Sequence, residues 1–86
     1  MKLKSNFTTV SIEDTQFMVA VGSEKFNGVV RNNKTAAFIV DCLKKETTID
    51  AISDAMCAKY DAPRDCIVAD VKEIIEKLRS IDALDE

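Results

Sequence analysis

The chain has no histidine and no tryptophan, one proline, two glycines and three cysteines. Without histidine it lacks the usual proton shuttle near neutral pH and the commonest metal ligand. Cys42, Cys57 and Cys66 are odd in number and form no Cys-x-x-Cys pair, which excludes a zinc ribbon and a thioredoxin-like redox motif. Cys42 and Cys57 fall inside helical apolar patterns and read as small hydrophobes in a reducing compartment. Cys66 lies near an expected helix start, with no base at a useful spacing for a catalytic thiol. So little glycine and proline excludes a collagen-like or low-complexity chain. No strictly apolar run exceeds five residues, Ala36-Ala37-Phe38-Ile39-Val40 being one, far short of a membrane span. Basic Met1-Lys2-Leu3-Lys4 is followed by polar Ser5, Asn6, Thr8 and Thr9 where a signal peptide needs an apolar stretch, so a cytoplasmic location is expected. These absences leave little chemistry for an enzyme, and neither cofactor nor metal is expected.

What remains is 86 residues, 47% apolar and 31% charged. That describes one small domain, residues 1–86, with a modest core burying about 60–65% of its unfolded surface. Charge is uneven. Residues 1–44 carry six Lys/Arg against four Asp/Glu, whereas residues 45–86 carry six against eleven.

The first third reads as strands. Phe7-Thr8-Thr9-Val10-Ser11-Ile12 is rich in β-branched residues, and Glu13-Asp14-Thr15 is a polar break suited to a hairpin turn. Residues 16–21 form a second strand with both faces largely apolar. Residues 22–27 are a loop, and Gly28-Val29-Val30-Arg31 is a short third strand. After Asn32-Asn33 the apolar period changes from two to 3.6. Asn33 is the expected cap of a first helix with the stripe Ala36, Ile39, Val40 and Leu43. Thr47 or Thr48 caps a second, with Ile49, Ile52, Met56 and Tyr60 on its core face. Phe38 lies opposite the first stripe and is placed to cover the sheet or touch a partner.

Pro63 suits the first turn of a third helix over about residues 63–81. At about 100° per residue, Ile67, Val71, Ile74, Leu78 and Ile81 fall within roughly 40° of one line and read as its core stripe. Val68, Lys72, Ile75 and Arg79 form a second row some 80–140° away. Two aliphatics interleaved with two cations read either as a wide core stripe with snorkelling edges or as the wall of a groove holding something apolar and acidic. Both readings stay open on the pattern alone.

Three strands followed by three helices is a winged-helix-like α+β order, a three-stranded antiparallel sheet followed by a three-helix bundle. Gly28-Val29-Val30-Arg31-Asn32-Asn33-Lys34-Thr35-Ala36-Ala37-Phe38-Ile39 resembles the strand-to-helix junction of the PqqD family, in which an Asn-x-Thr-Ala-Ala-like segment opens the first helix. Tyr60-Asp61-Ala62-Pro63, followed by Ala69-Asp70-Val71 and Leu78, is similar to that family's Tyr-Asp and Asp-Val…Leu pattern. The likeness covers about residues 7–84. Asn32 departs from it, standing where the family usually has an aliphatic residue, and points to a relative serving another peptide pathway.

The resemblance implies a non-catalytic recognition element for ribosomally made, modified peptides. Such a domain binds the leader segment of a precursor peptide by strand addition and presents it to a separate modifying enzyme, often a radical SAM protein. Carried over by position, the pairing edge is Gly28, Val29, Val30, Arg31 and Asn32, and the helical wall is Val68, Lys72, Ile75 and Arg79. Arg31, Lys72 and Arg79 would draw an acidic leader, and Phe26 and Asn27 would shape one end of the groove. The open edge also offers a route to a homodimer by strand exchange.

A winged-helix DNA-binding protein is the alternative reading. Over residues 63–82, however, the last helix has four cations against five acids, a poor match to phosphate. Neither nucleic acid nor membrane is an expected partner. Asp70 and Glu73 as an acid–base pair are better read as ordinary helix charges beside Lys77.

Overall fold

Strands β1 (Lys2–Leu3), β2 (Phe7–Ile12), β3 (Thr15–Ala20) and β4 (Val29–Asn32) lead into helices α1 (Lys34–Cys42), α2 (Ile49–Lys59) and α3 (Arg64–Ser80), and β5 (Leu84–Asp85) closes the order. This computed structural model describes residues 1–22 and 28–86. The expected positions Phe26 and Asn27, and most of the expected loop, lie outside the described residues. β2, β3 and β4 form an antiparallel meander in that order, so the α+β sheet-then-helices architecture is as expected. The β1–β5 ladder is an addition. Two-residue strands carry no readable periodicity, and this pair is held by tertiary bonds instead. The Leu3 amide donates to the Leu43 carbonyl (2.7 Å) and the Lys4 amide to that of Ala83 (2.8 Å).

Local chemistry sets the element ends. Ile12 faces Thr15 across a two-residue turn in which Glu13 takes a left-handed backbone (φ 56°). The Asn33 side chain accepts from the Ala36 amide (2.8 Å), and Thr48 Oγ1 accepts from the Ala51 amide (3.1 Å). Both satisfy a helix N–H that has no partner within its own helix. α3 ends on paired bonds, from the Asp82 amide to the Arg79 carbonyl and from the Ala83 amide to that of Leu78, with Asp82 left-handed at φ 58°. This is the Schellman closure, with aspartate where glycine is usual. It turns the chain back so that Ala83 and Leu84 enter the core.

The helices pack on one face of the meander. Met18, Ile39, Val40, Leu43, Ile52 and Val71 are among the buried residues between these layers. The α1 stripe is as expected, with Ala36, Ile39, Val40 and Leu43 all buried. The α3 stripe needs correction. Ile75 is fully buried beside Ile67, Val71 and Leu78, whereas Ile74 and Ile81 are only partly covered. The true core line therefore lies nearer Ile75 than the sequence pattern indicated, because α3 packs chiefly against α2 and also against α1.

Candidate functional site

β4 pairs with β3 along one edge, with Met18 opposite Val30 and Phe17 opposite Arg31. Its other edge has no strand beside it among the described residues. Strand alternation turns Val30 and Asn32 toward the helices and leaves Val29 and Arg31 exposed on the open face. Between this edge and α3 runs a groove of about 290 Å³. Val30 and Asn32 form its strand side, Asn33 and Ala36 its end at α1, and Ile74, Lys77, Leu78 and Ile81 its helical wall.

Asn32 is held in place by buried polar contacts. Its Nδ2 donates to Gln16 Oε1 (2.9 Å) directly across the ladder, and Gln16 Nε2 donates to Asp41 Oδ1 (3.0 Å) on α1. Lys44 Nζ completes the chain at 3.1 Å from the same Asp41 oxygen. Asn32 and Gln16 are both buried. Asn32 is thus one half of a cross-strand amide pair that locks the end of β4 to β3 and α1. An aliphatic residue at this place would leave Gln16 without its donor.

The structure does not bring the expected helical wall to β4. Ile75 is a core residue with no exposed surface. Val68 and Lys72 line a shallow concavity with Arg64, Asp65 and Ala69. Lys72 and Arg79 line another beside Thr47, Thr48, Ile49, Asp50 and Glu86. Arg79 is committed elsewhere, since its guanidinium bonds to Glu86 (2.7 Å at the closest) and to Glu76. Those carboxylates raise the Arg79 pKa further, and Arg79 in turn holds the Glu86 carboxyl below its ordinary value. Of the expected edge residues, Val30, Arg31 and Asn32 do border the groove, Val29 is exposed on the open face, and Gly28 precedes the strand with φ 159°. Ile74, Lys77 and Ile81, which face this groove, are not among the expected wall residues. The signal was present, since Ile74 and Ile81 lie at the margin of the apolar stripe, one turn to either side of Leu78.

A second concavity lies on the far side of α1, lined by residues including Gln16, Lys34, Phe38, Asp41, Lys59 and Tyr60. Phe38 and Tyr60 meet edge-to-face with centroids 6.0 Å apart, and Lys59 Nζ lies 4.8 Å from the Phe38 centroid. Phe38 therefore packs on the end of α2. Cys42, Cys57 and Cys66 are all free, and burial together with Asp41 pushes the Cys42 thiol pKa up. Such a thiol is a poor nucleophile near neutral pH. Among the described residues no helix is long and apolar enough to cross a membrane.

No curated protein sequence matches the chain. A solved structure, TbiB1 in complex with the TbiA(beta) leader peptide, superposes with a TM-score of 0.84 at 19% identity, covering 99% of this chain and 95% of that one. At that identity the likeness establishes the fold. The family model described as coenzyme PQQ synthesis protein D (PqqD) matches residues 16–84, from β3 through β5, so the segments that carried the resemblance lie within the matched span and the chain belongs to the PqqD family.

Proposed function

We propose that this protein is a non-catalytic binder of the leader segment of a ribosomally synthesised precursor peptide, which it presents to a separate modifying enzyme of the radical SAM class. The observation that carries the reading is the open edge of β4 above the apolar groove against α3. An edge strand offers alternate N–H and C=O groups to an incoming extended peptide, and the groove beneath selects every second side chain. Membership of the PqqD family and the fold shared with a leader-peptide complex support the same reading. A leader is disordered when free, so ordering it offsets part of the contact energy. Affinity of about 10 nM to 10 μM, roughly −11 to −7 kcal/mol, leaves release possible.

The test is a ¹H–¹⁵N titration with leader peptides encoded beside this gene. Saturable shifts concentrated at residues 29–32 and 74–81 are expected. Saturable shifts confined to Val68, Lys72 and Arg79 would move the site to the opposite flank of α3. Absence of any shift in a well-dispersed spectrum would remove the reading.

A further inference from the structure

The groove beside β4 differs in charge from the rest of the surface. The chain carries 15 Asp/Glu against 12 Lys/Arg, yet the groove lining contains Arg31 and Lys77 and no carboxylate. Four other surface concavities each include at least one aspartate or glutamate. Arg31 makes no ion pair among the described residues, and Lys77 has only an exposed contact with Glu73 at 3.6 Å. Exposed pairs of that kind exchange readily. Arg79, by contrast, is held by two carboxylates on the opposite flank.

Strand geometry then sets a pattern. A residue of an added strand shares the sheet face of the β4 residue opposite it, and its neighbours point the other way. Opposite Arg31 a ligand side chain lies on the open face. The residues before and after it point into the groove, toward Ile74, Leu78 and Ile81. From this we infer that the bound segment reads aliphatic–acidic–aliphatic, its carboxylate set against Arg31 and its approach favoured by Lys77. The inference rests on the strand-addition reading and deepens it by naming the chemistry that the site selects.

The experiment is a selection of a random-sequence peptide library, displayed on its encoding RNA, against the intact protein, with binders mapped by ¹H–¹⁵N shifts. Binders that shift β4 and carry Asp or Glu flanked by Leu, Ile or Val are expected. Replacing that carboxylate by the amide should weaken binding about two- to fivefold. Arg31→Glu combined with Lys77→Glu, both exposed and outside the core, should turn the enrichment from acidic to basic. Binders that map to β4 without acidic enrichment, or an unchanged preference in the double variant, overturn the charge pattern and leave strand addition standing. A selection yielding no binder, or binders that leave β4 unshifted, removes the groove itself and the inference with it.

Discussion

The two flanks of α3 are built from the same ingredients and have different neighbours. On one, Ile74, Lys77 and Ile81 border the groove beneath the open edge of β4. On the other, Lys72 and Arg79 face the start of α2 and the chain ends, where Asp50 and Glu86 supply negative charge, and Val68 shares a shallow concavity with Asp65 of α3 itself. A helical wheel gives both flanks the same standing, two or three positions beside an apolar stripe. Their difference is made elsewhere, by which side of α3 the meander lies on and by which cations already have carboxylate partners. A row of aliphatics and cations becomes a binding wall only when something across from it is left open.

The sharpest way to break the comparison is at the neighbouring isoleucines. Ile75 is fully buried and Ile74 partly exposed on the groove side. Ile75→Ala removes a core side chain and is expected to cost about 2–5 kcal/mol in urea unfolding. Ile74→Ala should cost under about 1.5 kcal/mol, because part of its surface is already wet, while weakening peptide binding measurably. If the two substitutions destabilise equally, the boundary between core and groove drawn here is misplaced.

A second prediction concerns what fixes the strand side of the groove. Gln16→Ala strands the buried Asn32 amide and breaks the link to Asp41, so a loss of about 1–3 kcal/mol is expected. Replacing Gln16 and Asn32 together by leucine removes both polar partners and should recover most of that loss. A double-mutant cycle measures it. Strict additivity would mean that the amide pair contributes nothing to anchoring β4.

These two tests fall on either side of what was legible in the sequence. The meander, the three helices, the Asn33 cap, a threonine cap at 47 or 48 and the α1 stripe follow from local period and capping chemistry, which act within a few residues. The expected edge residues Val30, Arg31 and Asn32 also border the groove, because a strand's position in a meander follows from chain order. The helical wall does not follow in the same way. Taking Ile74 and Ile81 as core and Ile75 as flank turned the core line by roughly 35° and exchanged one flank for the other. Nothing local distinguishes these choices, since an apolar stripe is symmetric about its centre and only the elements packed on it, α2 and α1, break that symmetry. The role of Asn32 was equally hidden, because its partner Gln16 lies sixteen residues earlier and the two meet only through the strand register.

The smallest effect tests whether the far flank is as occupied as it looks. Arg79 donates to Glu86 through both Nε and a terminal nitrogen, and holds that carboxyl below its ordinary value of 4.5. A carboxylate depressed in the folded state contributes stability that is present above its unfolded pKa and lost as the pH falls through its folded pKa. The Glu86 side-chain resonance should therefore titrate below 4.5, and Arg79→Gln should return its midpoint upward. Stability should also fall more steeply in the parent than in the variant as the pH drops below 4.5. Both groups are exposed, so the change is small and weakens with added salt. A parent midpoint at or above 4.5 would mean that Arg79 is no more committed than Lys77. The asymmetry between the flanks would then rest on the position of β4 alone, with charge playing no part in it.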